Sequence, residues 1–353
     1  MTTNLPVGVG RRRFLLGGAA IGAGAVLTGC TGNSDDGGDA EAVVGSGGEG
    51  DNAESGPDVT IGFLAPAADH GWIAAIAKNA KAQAEQFDDV TLNAAESSND
   101  VNVQISQMET FISDEVDVIV ALPYDGKSLT QIAQQAMEAG IPVVNLDRIF
   151  ASSLAYRTYI GGDNYGMGVA AGNYIGGRLA DVDSPVIAEI QGIAALPLTQ
   201  DRSAGFRDAL ATHGLEVTNQ VSAEFTSESG EEVTSNLLQA APKIDAIWNH
   251  DDDQGIGVLA AIANAGRDEF FLVGGAGSTN MMNEIKNGES VVEATVTYSP
   301  SMASSAIMLG RLIAQGKKMS DLVENEVPAS IVLASATVTA DNVDEYLPLG
   351  FES

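Results

Sequence analysis

Polar and aromatic side chains follow several short apolar runs of this sequence. An aromatic face can cover the C–H side of a ring, and charged groups form strong hydrogen bonds with hydroxyls. This mixture of side chains indicates a pocket for a neutral, polyhydroxylated ligand. The residues that follow the apolar runs are Asp69, His70 and Trp72; Tyr124 and Asp125; Asp147 and Arg148; Gln200 and Arg202; Asp251 and Asp252; and Tyr298.

A hydrolytic site is the alternative from another functional class. It would need two placed carboxylates or an activated nucleophile. The best cluster is His250 with the adjacent carboxylates 251–253, but consecutive side chains point in different directions. The three histidines of the chain also lack metal-ligand spacing. We therefore expect no catalytic residues, no metal and no cofactor.

Alternating strand and helix patterns must position the ligand-binding side chains. Short apolar strands separated by helices predict parallel sheets that are covered on both faces, with ligands at the carboxyl ends of the strands. Helical patterns run from Ile73 to Phe87, over 127–138 and from about 199. The predicted strands are 59–64, 116–121, 141–146, 186–190, 246–249 and 270–273.

The first thirty residues have the order of an export signal. Arg11-Arg12 precedes a short apolar stretch, as in twin-arginine signals. Leu27-Thr28-Gly29-Cys30 has the pattern of a lipobox, which predicts cleavage after residue 29 and lipid on Cys30, the only cysteine. Residues 31–57 are rich in Gly, Ser and acidic residues, which predicts a disordered linker. We expect an extracytoplasmic domain that is anchored to the outer face of the membrane.

The charge of the chain excludes two kinds of partner. The formal net charge is −31, and loss of the three signal arginines makes it −34. Seven of these negative charges lie in residues 30–57, which leaves −27 on the rest of the chain. Such a surface repels nucleic acid and anionic lipid head groups, so neither is expected as a partner.

Several ordered motifs resemble one known family. They are Ile61-Gly62-Phe63 with Trp72, the segment 140–148 (GIPVVNLDR), 160–172 (IGGDN…G…AG), 191–206 (QG…DRSAGF) and 251–257 (DD…G). From about 58 to 300 the chain is similar to type I periplasmic binding proteins, particularly the ribose-binding group of sugar ABC transporters. A sugar-responsive repressor shares that fold but would carry a helix-turn-helix where this chain has its signal.

The resemblance implies an α/β fold of two Rossmann-like parallel-sheet domains joined by three hinge crossovers. The expected N-terminal lobe is 58–162 plus 299–331, and the expected C-terminal lobe is 163–298 plus 332–353. It also implies a monomer that closes on a small sugar or sugar alcohol and delivers it to ABC permease subunits. The same pocket could instead serve a chemoreceptor or a sensor kinase.

Site residues carried over from the resemblance are an aromatic that packs on the sugar, Trp72; a ligand pair, Asp147 and Arg148; and a second arginine, Arg202. Phe225 lies near the position of the second stacking aromatic, and Asp251 stands where the family often has a ligand-binding Asn. Asp252 is a candidate for the pocket and at least equally a candidate for the N-cap of the helix that runs from Gln254. Asp69, His70 and Tyr298 complete the predicted ligand-binding set.

Three positions depart from the ribose-type pattern. Leu122 replaces an Asn, Gly275-Ala276-Gly277 lacks the Asp of a "GFDG" turn, and Tyr298 replaces a Gln. A site built to pair with a hydroxyl discriminates strongly when its partner group changes. We therefore expect another pentose, a tetritol or pentitol, or a related polyol rather than ribose.

Overall fold

The computed structural model describes residues 52–319, 322 and 324–353. The arginine pair, Cys30 and residues 31–51 lie outside this part of the chain, so the predictions made for them stay predictions. Within the described residues the chain forms two lobes, each built on a six-stranded sheet. No helix in these residues combines the length and the apolar character that crossing a bilayer requires.

The sheet of the first lobe is wholly parallel, in the order β11-β5-β4-β3-β1-β2. Its strands are β1 (Val59–Leu64), β2 (Val90–Ala94), β3 (Val118–Ala121), β4 (Val143–Leu146), β5 (Thr158–Gly162) and β11 (Ser330–Leu333). The helices of this lobe are α1 (Gly71–Ala84), α2 (Val101–Ser113), α3 (Gly126–Glu138) and α9 (Met302–Ala314).

The sheet of the second lobe has the order β12-β10-β9-β8-β6-β7 and is parallel except for β12, which runs antiparallel to β10. Its strands are β6 (Ile187–Gln191), β7 (Asn219–Ser222), β8 (Ala246–Asn249), β9 (Phe271–Ala276), β10 (Val292–Thr297) and β12 (Thr337–Thr339). Its helices are α4 (Asn164–Arg178), α5 (Pro197–Thr212), α6 (Ser227–Ala240), α7 (Asp252–Ala265), α8 (Thr279–Asn287) and α10 (Val343–Tyr346).

The continuous apolar strands are explained by burial on both faces of each sheet. In β3, Val118 and Val120 pack into the cluster that contains α1 and α9 side chains. Ile119 and Ala121 point the opposite way, into a cluster with residues of α2 and α3. This alternation follows from the two-residue period of a strand. The fold class is confirmed: two parallel-type sheets, each covered by helices.

The chain passes between the lobes three times. The passages join β5 to α4, β10 to α9, and β11 to β12. The predicted lobe boundary between residues 331 and 332 falls inside β11. All four residues of Ser330–Leu333 pair with β5 of the first lobe, so the third passage begins after Leu333.

The last residues of the predicted linker are held by the domain. Arg311 is fully buried and donates from Nη1 to the carbonyl of Asn52 at 2.7 Å and from Nη2 to the carbonyl of Glu54 at 2.9 Å. The backbone N–H of Gly56 donates to Asp89 at 2.6 Å. A disordered linker up to residue 57 is therefore wrong for residues 52–57, because buried side chains supply partners for their backbone.

Candidate functional site

A small cavity lies between the lobes, at the carboxyl ends of both sheets. Its volume is about 30 Å³. Eight of the nine predicted ligand-binding residues line it, and the ninth, Asp69, hydrogen-bonds to one of them. The lining residues are His70, Trp72, Asp147 and Arg148 from the first lobe; Leu198, Arg202, Phe225, Asp251 and Ala276 from the second; and Tyr298, in the passage between β10 and α9.

Asp147, directly after β4, has an unusual backbone. Its φ is +60°, in the left-handed region that non-glycine residues rarely occupy. Two tyrosines hold it there: the Tyr159 hydroxyl donates to the Asp147 carbonyl at 3.0 Å, and the Tyr298 hydroxyl donates to the Asp147 carboxylate. Burial raises the pKa of Asp147, while Tyr298, Arg148 and Arg202 oppose that rise.

Arg148 keeps a free donor beside the cavity. Its Nη1 donates to the Tyr124 carbonyl at 2.8 Å, and its guanidinium lies 5.7 Å from the centre of the Tyr124 ring. Its Nε is buried and has no hydrogen-bond partner among the described residues. Burial lowers the pKa of Arg148, and the nearby Asp147 opposes this effect. A buried donor without a partner is costly, so this atom is suited to a ligand oxygen.

Arg202 is fixed by two acceptors within the second lobe. Its Nε donates to Asn164 Oδ1 at 2.9 Å, and its Nη1 donates to the His250 carbonyl at 3.0 Å. It lies on α5, which begins with Pro197 at its first position, as the fixed φ of proline favours. The guanidinium stacks on the Tyr298 ring, 4.6 Å from the ring centre. Its position is therefore set before any ligand arrives.

Trp72 and Tyr298 form one wall of the cavity. Their ring centres are 5.7 Å apart, and Trp72 Nε1 donates to the Tyr298 carbonyl at 2.8 Å. Gly162 lies under the Tyr298 ring, where a Cβ would come within 2.1 Å of a ring carbon. A larger residue at 162 would push the tyrosine out of the wall.

His70 and Phe225 meet across the two lobes. Their ring centres are 6.4 Å apart, in a stacked arrangement. Asp69 orients His70 through a 2.6 Å contact with Nδ1, and Asn99 Nδ2 donates to Asp69 at 2.9 Å. Asp69 is largely exposed and does not line the cavity. Its place is therefore behind His70, and not at the predicted ligand surface.

Backbone strain is concentrated at this cavity. Five non-glycine residues of the described chain have positive φ, and three of them line the cavity. These three are Asp147, Phe225 at +65° and Ala276 at +94°. Strained residues persist where the surrounding structure holds them, and they cluster at binding and catalytic sites. The clustering supports this cavity as the candidate functional site independently of the residue types.

The acidic run 251–253 divides into three separate roles. Asp251 caps α7, accepting from the N–H groups of Asp253 at 2.9 Å and Gln254 at 3.1 Å. The predicted capping role of Asp252 is wrong, because α7 begins at Asp252 itself and its N-cap lies one residue earlier, at Asp251. Asp252 instead accepts from the N–H groups of Gly275, Gly277 and Ser278, and burial raises its pKa to about 7.

Asp253 reaches the other lobe. Its Oδ2 accepts from the backbone N–H of Trp72 at 2.8 Å. Burial raises the pKa of Asp253, opposed by its hydrogen bonds to the α1 backbone at Trp72 and Gly71. Asp253 was not among the predicted ligand-binding residues. Only its place in the acidic run after a strand could have indicated one.

A buried polar network lies behind Arg202 and was also missed. Glu189 accepts from Ser203 at 2.5 Å and from Gln220 at 2.6 Å, and it contacts His250 Nε2 at 2.9 Å. Glu189, Ser203 and His250 are at most 1% exposed. The network joins β6, β7, α5 and the residue that follows β8, so it fixes the helix that carries Arg202. Glu189, a charged residue in the middle of the apolar strand 187–191, was the sequence feature that could have indicated this network.

Two other expectations concern residues near the site. Leu122 is fully buried in the first lobe and does not line the cavity. Gln200 is exposed, and its side chain donates to the Ala194 carbonyl instead of entering the cavity. Within residues 52–319, 322 and 324–353, no group of three or more His, Cys, Asp or Glu side chains is arranged to hold a metal ion.

Comparison with known proteins agrees with this architecture. The family described as "Periplasmic binding protein domain" matches residues 61–318. The ribose import binding protein RbsB of Bacillus subtilis is 27% identical over 273 residues, covering 77% of this chain and 87% of that protein.

Solved structures give the same result. A Mycobacterium smegmatis protein in complex with β-D-fucofuranose superposes with a TM-score of 0.75 at 26% identity, covering 82% of this chain and 94% of that one. The fructose-binding periplasmic domain of a hybrid two-component system gives a TM-score of 0.72 at 25% identity, covering 82% and 93%. With its paired lobes, its three passages and this match over most of its length, the chain belongs to the periplasmic binding protein family.

Proposed function

We propose that this protein captures a small neutral sugar or sugar alcohol between its lobes and delivers it to the permease of an ABC importer. The observation that carries the proposal is the composition of the cavity: each lobe contributes an aromatic ring and an arginine, and three lining residues have strained backbones. Aromatic faces and charged donors together suit a polyhydroxylated ring. The sugar-binding relatives support the same class of ligand.

A ligand other than ribose is part of this proposal. Tyr298 stands where the ribose-type site has Gln, and its hydroxyl bridges Asp147 and Asn164 Nδ2. The turn 275–277 contributes Ala276 to the cavity lining, where the ribose-type site has a carboxylate. Fewer fixed hydroxyl partners in the second lobe favour another pentose, a pentitol or a related polyol.

The test of binding uses Arg148→Ala and Arg202→Ala. Thermal unfolding of the wild type is measured against monosaccharides, polyols, nucleosides and amino acids. A ligand present at 100 times its dissociation constant should add about 2.7 kcal/mol of stability. Each arginine variant should lose about 1.5–3 kcal/mol of binding free energy, because a charge-assisted hydrogen bond is removed. Stabilisation by nucleosides or amino acids alone would overturn the sugar proposal.

A sensory role is the second candidate, favoured by the related fructose-binding domain of a two-component system. The pocket would be the same in both cases. Genes adjacent to this one distinguish them: a permease and an ATPase support import, and a histidine kinase or chemoreceptor supports sensing. We infer a non-catalytic role in either case. Ser203 and His250, the hydroxyl and imidazole side chains that could serve as a nucleophile and a base, are buried and do not line the cavity.

Membrane anchoring through Cys30 is a further part of the proposal. It rests on the sequence pattern at residues 27–30. Mass spectrometry of the mature protein should show a lipid-modified Cys30 as the first residue, and Cys30→Ala should release the protein from membranes. An unmodified thiol in the mature protein would contradict anchoring and leave the binding function intact. We expect the released domain to sediment as a monomer.

A further inference from the structure

A second cavity adjoins the first. It has a volume of about 460 Å³ and lies between the lobes beside the β5-to-α4 passage. Asp147, Arg148 and Leu198 line both cavities, so the arginine whose Nε has no partner borders both spaces. Small-molecule sites usually measure about 300–1,000 Å³, a range that includes this second cavity. The first cavity, at about 30 Å³, can take a sugar ring only when the lobes move apart. We call the second cavity the side groove.

Both lobes contribute apolar surface to the side groove. The first lobe contributes Ile149 and Val332, which are 44% and 57% exposed, and the second contributes Tyr165, which is 45% exposed. Nine large apolar side chains of the described residues are more than one third exposed, and three of them line the side groove. Exposed apolar side chains gathered in one concave place mark a binding surface. The remaining apolar lining comes from Phe150, Ala151, Ala195, Leu196, Pro197 and Leu198.

The charged residues of the side groove exclude an anionic occupant. The lining shared with the first cavity contains one carboxylate, Asp147, and one cation, Arg148. The rest of the side groove adds one lysine, Lys127, and three carboxylates, Asp125, Asp163 and Asp201. Three further carboxylates against a single lysine would repel phosphate or carboxylate groups. Asp125 and Asp163 are already engaged as helix caps, accepting from Ser128 N–H and Gly166 N–H. A carboxylate with one N–H partner keeps further lone pairs, which can accept from the hydroxyls of a neutral group.

We propose that the ligand has two parts and that the side groove is a second subsite for a neutral group joined by a glycosidic bond to the sugar in the first cavity. The ligand class is then a disaccharide or another neutral glycoside. Aliphatic walls suit the C–H faces of a second ring, and the rim carboxylates and Tyr165 suit its hydroxyls. This inference rests on the proposed sugar-binding function and refines its substrate class.

The test compares matched ligands on matched variants. Calorimetry measures D-fructose against sucrose, D-galactose against lactose, and L-arabinose against its methyl furanoside. Ala195→Trp fills the side groove from an exposed position that does not line the first cavity. Ala194→Trp is the control, because Ala194 is also exposed but does not line the groove. Thermal unfolding without ligand verifies that both variants fold.

The proposal expects at least one glycoside to bind about tenfold tighter than its monosaccharide. Ala195→Trp should remove that advantage without weakening the monosaccharide, and Ala194→Trp should preserve it. Equal or weaker binding of every glycoside, or an advantage that survives in Ala195→Trp, overturns the two-part ligand and leaves sugar binding in place. If no saccharide binds at all, the proposed function itself fails.

Discussion

The carboxylate of Asp253 hydrogen-bonds to the backbone N–H of Trp72 across the gap between the lobes. Helix α1 needs this partner, because its own N-cap residue, His70, makes no side-chain capping bond. The first N–H groups of a helix have no partner within the helix. Asp253, at the start of α7 in one lobe, therefore caps a helix of the other lobe, and that cap exists only while the lobes are together.

Asp253→Ala should consequently favour the separated arrangement of the lobes. We expect about tenfold weaker ligand binding and a larger radius of gyration in X-ray scattering, because loss of a cap costs about 0.5–2 kcal/mol. Asp100→Ala is the control: Asp100 caps α2 inside the first lobe by accepting from Asn102 N–H at 2.8 Å. That variant should lose thermal stability without a change in radius. Equal radii for Asp253→Ala and the wild type would contradict the cap between lobes.

The hydroxyl of Tyr298 should matter more than its ring for ligand affinity. Tyr298→Phe keeps the ring against Trp72 and Arg202 but removes the donor to Asp147. The buried carboxylate then loses a partner, and binding should weaken by about 1–3 kcal/mol as measured by calorimetry. Tyr156 stacks on Phe150 and does not line the first cavity, so the Tyr156→Phe variant should bind the ligand normally. Unchanged affinity in Tyr298→Phe would show that the Asp147 carboxylate is not part of the site.

His250 should make folding stability depend on pH. Burial lowers its pKa from 6.5, and Glu189 only partly opposes this. The unfolded state therefore binds a proton before the folded state does, and stability falls as the pH drops below about 6.5. The loss is at most about 1.4 kcal/mol per pH unit for one proton. Burial would raise the pKa of Glu189, but hydrogen bonds from His250, Ser203 and Gln220 outweigh burial and lower it. The stability that ionised Glu189 contributes is therefore lost as the pH falls below about 4.

Urea unfolding between pH 7.5 and 5 measures this dependence. The wild type should lose more stability over that interval than His250→Gln, whose side chain does not titrate. His213→Gln, at an exposed position after α5, should retain the wild-type slope. Parallel curves for the wild type and His250→Gln would mean that the buried histidine titrates alike in both states.

Arg311 should contribute more stability than any exposed arginine. It pairs with Asp89 at 2.6 Å, with both side chains at most 3% exposed. Burial would raise the pKa of Asp89, but hydrogen bonds from Arg311, Gly56 and Gln315 bring it well below its usual value. Arg311→Met should cost about 3–5 kcal/mol at pH 7, since it leaves a buried carboxylate unpaired. The stability that ionised Asp89 contributes is present above pH 4 and is lost as the pH falls further.

Arg178→Met is the matched control for this ion pair. Arg178 contacts Glu293 at 2.7 Å, but the two side chains are 52% and 32% exposed. Water and salt screen such a pair, so its loss should cost at most about 1 kcal/mol in chemical unfolding. Similar costs for the two variants would show that burial does not govern the strength of the Arg311 pair.

The apolar runs predicted the central strands, and the observed strand ends lie within three residues of the predicted ones. Val59–Leu64 and Ala246–Asn249 have the predicted bounds. The edge strands β2 and β7 were not predicted. They carry exposed polar residues on alternate positions, and β7 has only one apolar residue, Val221. Their strand geometry comes from pairing with β1 and β6, which a local pattern does not record.

The candidate site was predictable in its members but not in its connections. Parallel strands bring their following residues to one edge, so Asp147 and Trp72 could be assigned there from the sequence. The bond between Asp253 and Trp72 joins residues 181 positions apart. It depends on how the lobes meet, which no single segment determines. The one-residue error at Asp252 arose because three consecutive carboxylates offer three equivalent caps to a sequence pattern.

The hydrogen bonds from Arg311 to the carbonyls of Asn52 and Glu54 have a mechanical consequence. The N-terminal segment is held by the first lobe, and the second lobe is joined to that lobe through three passages. If the domain is tethered by its N-terminus and opens at the three passages, the first lobe stays fixed relative to the tether and the second lobe moves. Arg202, Phe225 and Asp253 would then swing, while His70, Trp72 and Arg148 would keep their distance from the tether.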